Sequence, residues 1–222
     1  MIHFPRKIQR KVGEHRIEQP FVAEIQDVEL IGTEAVAVTG DGEYVPEESI
    51  RSIGLLVRSL ARTTAAGLLA RRKRRRSDPD IYKAVSLVGP WSRGYYHWSL
   101  DYMLRLQGVE HHVEQTGSKP TLIVPAKPPQ WMLSSLDLAG FGEFEHVEWQ
   151  GGRQTVGKLI IPSLRRETEF TSPAGGYMFS PRAYKWLGYR IPSNSRAGDR
   201  EIRSSCPGLE LRNLMSSMRR KL

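Results

Sequence analysis

The 222-residue sequence holds one cysteine, Cys206, so no internal disulfide can form. A reducing, cytoplasmic setting fits that best. No apolar run approaches the roughly 20 residues that cross a bilayer. The first residues, MIHFPRKIQRK, lack the apolar core of a signal peptide. Neither a P-loop nor a G-x-G-x-x-G turn is present, which removes two common phosphate cradles. No internal repeat is visible, which argues against a solenoid.

Acidic residues are also in short supply. Asp and Glu total 24 against 33 Lys and Arg, a formal net charge of +9. The excess is local: residues 71–76 are all basic, and both ends of the chain are basic, whereas residues 77–189 carry eleven charges of each sign. A nucleic-acid groove spreads positive charge over a folded face, so no specific nucleic-acid partner is expected. The basic run reads as a solvated helix end, favoured by the helix dipole. Beside an apolar helix it also suits peripheral contact with the inner, anionic face of a membrane. A length of 222 residues with 39% hydrophobic content suffices for one good core and at most two small domains.

The chain divides into four stretches. Residues 1–48 hold a basic lead-in and a β-hairpin element: FVAEIQDVELIG reads as a strand, and two β-prone runs flank the turn pair Asp41–Gly42. Residues 49–76 read as a helix with an apolar stripe, ending in the basic run. Residues 77–190 alternate strands and helices, which predicts a Rossmann-like parallel sheet flanked by helices. Its strands are 83–88, 121–124, 145–149 and 156–161. Its helices are 130–139, opened by Pro128 and Pro129 and stopped by Gly140, and 182–187, capped by Ser180 and Pro181. Residues 191–222 form an irregular basic tail, within which Leu209 to Met218 suits a short helix.

Everything is organised around KAVSLVGPWSRGYYHWSLDYMLRL, residues 83–106. An apolar strand meets Gly89 and Pro90, a loop follows, and an amphipathic helix begins. Tyr96, Leu100, Met103 and Leu104 recur at helical spacing and predict a buried face. His97 and Asp101 stand four apart, on one side of that helix. Together they suit acceptor binding or general-base catalysis, or equally a polar pair that orients the helix entrance. Tyr95, Tyr96 and Trp98 offer rings for stacking on sugar faces or for a core. Trp91 and Arg93 lie in the loop, where Arg93 could meet a phosphate.

Other patterns carry less. Asp78-Pro79-Asp80 has the bare D-x-D form of some metal–diphosphate sites but reads as a turn. Glu110-His111-His112 places adjacent histidines on different sides, which is poor metal geometry. Arg165-Arg166 follows the strand-ending Pro162, where a solvated loop is the simpler reading and a phosphate site the other. Cys206 has no histidine near it in sequence. No metal or cofactor is predicted.

YYHWSLDYMLRL resembles the H-W-x-x-D-x-x-x-R-L signature of family 61 glycosyltransferases, often described as capsular polysaccharide biosynthesis proteins. GKLIIPSLRRE and GYMFSPRAYKWL resemble that family's middle region, and the likeness runs from about residue 35 to residue 190. It implies the N-terminal lobe of a two-lobed GT-B-type fold and inverting transfer of a sugar from a nucleotide sugar to a glycan acceptor. It implies no obligatory metal. His97 and Asp101 would be the catalytic pair, with Trp91, Arg93, Tyr95, Tyr96 and Trp98 around the substrate. The family's second half, including its G-x-H-G-A-G-L-type motif, has no counterpart here, so a truncated copy holding the acceptor side, inactive alone, is expected. Two alternatives stand beside it: a non-catalytic glycan- or partner-binding remnant, and a basic protein that binds membrane surfaces or nucleic acid.

Overall fold

A computed structural model describes residues 19–43, 45, 79–165 and 179–191. The expected lead-in, the helix at 49–70, the basic run and the tail lie outside the described residues.

Six strands form one mixed sheet: β1 (Val22–Ile31), β2 (Val36–Val38), β3 (Ile81–Ser86), β4 (Thr121–Pro125), β5 (His146–Trp149) and β6 (Arg153–Pro162). Their order is β2-β1-β6-β3-β4-β5. β6, β3, β4 and β5 are mutually parallel, whereas β1 runs antiparallel to both β2 and β6. The protein is therefore α/β in character, and β3 lies inside the sheet between two parallel neighbours, as an apolar run should. β1 and β2 join the same sheet through β6 instead of standing apart from it. After β2 the main chain reverses around Asp41–Gly42, where Gly42 takes φ 90° and the Val45 N–H reaches the Ala37 carbonyl at 3.0 Å.

The helices are α1 (Tyr95–His97), α2 (Leu106–Thr116), α3 (Gln130–Leu138) and α4 (Pro181–Arg190). Alternation along the strands sorts the core into two clusters. Val85 and Leu87, Leu122 and Val124, and Ile160 face the helices, meeting Leu106, Val109, Met132, Leu136, Ala183 and Leu187. Ala84, Val88, Ile123, Leu159 and Ile161 face the other way, onto Val28, Leu30, Ala35 and Ala37. Among the described residues the helices thus cover one face only, and the second cluster is built from strands and their connections. The expected parallel sheet flanked by helices is thus a mixed sheet in which β1 and β2 run antiparallel, and residues of that arm pack on the face away from the helices.

Strict alternation could not fill that layer. Ala23 and Ile25, then Val28 and Leu30, all pack on the same cluster. The switch of parity falls at Asp27, whose φ of 54° lies in the left-handed region. Opposite it, Gly157 passes so close to β3 that a Cβ would come within 2.9 Å of the Tyr82 carbonyl oxygen. Among the described residues no helix is long and apolar enough to cross a membrane.

Candidate functional site

The loop after β3 is two tight turns. The Ser92 N–H reaches the Gly89 carbonyl at 3.1 Å, and the Gly94 N–H reaches that of Trp91 at 2.7 Å. Trp91 is held at φ 61°, an unusual conformation for a bulky residue. Arg93 fastens this loop to the one beyond β4, donating to the carbonyls of Ala126 and Lys127. The two loops rim the C-terminal edge of the parallel strands, where α/β proteins bind ligands.

The helical segment 95–116 is not uniform. α1 opens into a π-turn over Trp98–Tyr102, tightens to a 3-10 turn over Met103–Arg105, and continues as α2. π-turns hold an extra residue and cluster at functional sites. Here the turn sends two pairs in different directions. Trp98 and Tyr102 stack inward with ring centres 6.2 Å apart, while His97 Nδ1 meets Asp101 Oδ2 at 2.7 Å. An ionised carboxylate only accepts, so Nδ1 carries the proton and donates it. The His97 side chain is 30% exposed, and that of Asp101 only 9%.

Aromatic rings frame the histidine. Trp91, 56% exposed, stacks on the imidazole at 5.0 Å and 25°. Tyr96, 46% exposed, meets it edge-on at 5.2 Å. Phe179, just before α4, meets Tyr96 at 6.3 Å. The structure thus brings His97, Asp101, Trp91 and Tyr96 together. It takes Trp98 into the core, where the indole N–H donates to Ser135 Oγ at 2.8 Å. Tyr95 packs on Trp131 at 5.3 Å. The guanidinium of Arg93 is engaged by backbone carbonyls.

The remaining sequence patterns lie elsewhere. Asp80 locks the start of β3 to β6, its Oδ2 accepting from Thr155 N–H at 2.7 Å and Oγ1 at 2.9 Å, at the edge opposite His97. Asp78 and Cys206 lie outside the described residues. Glu110 pairs with Arg190 and accepts from the Trp186 indole, His111 is exposed, and His112 is buried beside Glu24. Among the described residues no group of three or more His, Cys, Asp or Glu is placed to hold a metal ion.

Arg105 stands in the quoted H-W-x-x-D-x-x-x-R-L pattern, but the sequence reading gave it no role. It is fully buried, with Nε donating to the Pro162 carbonyl at 3.1 Å and Nη1 to the Ser86 carbonyl at 3.3 Å. It ties the ends of β3 and β6 to the helix that carries His97. The signal was one arginine among Met103, Leu104 and Leu106, where a cation survives only if its donors are satisfied. Compared with models of protein families, with curated proteins and with solved structures, the chain finds no match.

Proposed function

We propose that the chain is the acceptor-side, Rossmann-like lobe of an inverting glycosyltransferase, with His97 as general base and Asp101 as the group that orients it. The observation that carries this reading is the 2.7 Å His97–Asp101 hydrogen bond, flanked by two exposed rings at the C-terminal edge of the sheet. The resemblance to family 61 adds support, because its H-W-x-x-D-x-x-x-R-L pattern falls on residues with separate jobs: His97 and Asp101 pair, Trp98 and Leu106 fill the core, and Arg105 ties strand ends.

The chemistry follows from the tautomer. The acceptor hydroxyl gives its proton to His97 Nε2 as its oxygen bonds the donor's anomeric carbon. The bond from that carbon to the phosphate oxygen breaks, and the nucleotide diphosphate leaves with that electron pair. Asp101 stabilises the imidazolium that forms. Trp91 and Tyr96 present apolar faces to the C–H side of a sugar ring.

The direct test is glycan binding by the 222-residue protein at low and high salt. Binding should be saturable and nearly salt-independent, and should weaken in Trp91→Ala and Tyr96→Ala. Charge-driven adhesion to lipid or nucleic acid would fall steeply with salt. In a form of the protein that carries out transfer, His97→Ala should lower kcat by about 10²–10⁴. Unchanged transfer there would return the pair to a structural role.

A further inference from the structure

A second group of chemically capable residues lies just past Phe179. Arg165 follows the C-terminal end of β6, where a solvated loop was the simpler expectation, yet it is only 8% exposed. Its Nη2 donates to Gln107 Oε1 at 2.8 Å, and its carbonyl accepts from the Ser180 N–H at 2.7 Å. Its Nε has no hydrogen-bond partner. Among the described residues no carboxylate pairs with it. The charge it does feel is another cation, Arg182, on the exposed first turn of α4. Burial first, and the Arg182 charge second, hold its guanidinium below the usual arginine range. A buried cation is normally paired, and none of the described residues supplies the counter-ion to this one.

α4 adds to the imbalance. Ser180 caps it, Oγ accepting from the Ala183 N–H at 3.4 Å, and Pro181 fills the first position without an N–H of its own. The ten-residue helix turns its positive end toward this spot, with no acidic residue in its first turn. A buried guanidinium with an unused donor, a second arginine and a helix N-terminus therefore lie together, and among the described residues no carboxylate balances them.

The geometry points to an anion-binding site at which Arg165, Arg182 and the first turn of α4 take up a phosphate or carboxylate group. Both are planar or tetrahedral oxyanions that a guanidinium fork recognises. The site adjoins the histidine: Phe179, the neighbour of Ser180, touches Tyr96, and Tyr96 touches His97. That the anion belongs to the molecule whose hydroxyl meets His97 rests on the reading proposed above; the existence of the anion site does not.

The test titrates the 222-residue protein with inorganic phosphate and, separately, with sodium glucuronate, at matched ionic strength and with glucose as neutral control. Saturable binding of one anion is expected, and the tighter of the two identifies the source. Arg165→Gln should weaken it about tenfold or more, and Arg182→Ala several-fold. Arg165→Lys, which keeps the charge but not the fork, should recover part of the loss. If Arg165→Gln does not fold, Arg165→Lys and the exposed Arg182→Ala decide. Absence of saturable anion binding, or binding that these variants leave untouched, overturns the proposal. Phosphate binding without glycan binding would keep this site and sink the glycosyltransferase reading; glycan binding without any anion response would do the reverse.

Discussion

Trp91 puts a bulky side chain on a left-handed backbone and leaves more than half of it in water. Such a residue costs about 1–2 kcal/mol in conformation, and such outliers gather at binding sites. Trp91→Gly should therefore leave the protein as stable or up to about 1 kcal/mol more stable, read as a urea midpoint. Glycan binding should weaken by up to about tenfold, since one aromatic contact is worth about 0.5–1.5 kcal/mol. A variant that loses stability and keeps affinity would show that the ring serves packing alone. His112 is the residue whose protonation matters to the fold. It lies on the buried face of α2, with Nδ1 at 3.4 Å from Glu24 Oε1 and Nε2 at 3.4 Å from Thr116 Oγ1; Lys83 and Lys158 are the other charges acting on it. Burial pushes its pKa down and outweighs the pull of Glu24. The unfolded chain, with a histidine near the ordinary pKa of about 6.5, thus takes up the proton first. The stability His112 contributes is complete above that pH and is lost as pH falls toward its lower folded pKa. Urea midpoints should drop between about pH 7 and pH 5, and His112→Gln should flatten that slope. An equal slope in the variant would assign the effect to another group.

At the scale of elements, the helical segment 95–116 shows what periodicity conveys and what it hides. Leu100, Met103 and Leu104 were legible as a buried face and are buried. Tyr96 belongs to the same pattern on paper but is exposed, because the π-turn that follows it shifts the register and a hydrophobic count does not register one extra residue. α3 and α4 were plain in the sequence, since their Pro and Ser starts and the Gly140 stop act locally; Gly140 takes φ 87° as a stop of that kind requires. Arg165 was misread because burial is set by elements that arrive from elsewhere in the chain. Gly108 has a similar origin. It sits in α2, where a Cβ would come within 2.7 Å of Pro162 Cβ and 3.2 Å of Val22 Cγ2. Gly108→Ala gains about 1 kcal/mol in helix propensity but forces a rigid proline ring to move. We expect net destabilisation of about 1–2 kcal/mol, read by thermal melting. A more stable variant would mean that α2 can lift off β6 freely.

At the scale of the whole molecule, the parallel half of the sheet was legible because each βα unit is local, whereas the pairing of β1 with β6 was not. That pairing joins Val22 to Pro162 and depends on a parity switch at Asp27 that no alternation rule predicts. The pairing of His97 with Asp101 was readable from spacing; the exposure of Trp91 and the burial of Trp98 were not. One further consequence follows if both proposals hold, because one helical segment then reaches both sites. His97 lies near its start, and Gln107, which holds Arg165, stands ten residues further on. At about 1.5 Å per residue the helix works as a ruler of roughly 15 Å. A lone sugar is too short to reach from one mark to the other. Acidic glycans should therefore gain affinity with each added sugar until they reach that length and then level off, and a chain-length series of one polymer would read the division directly.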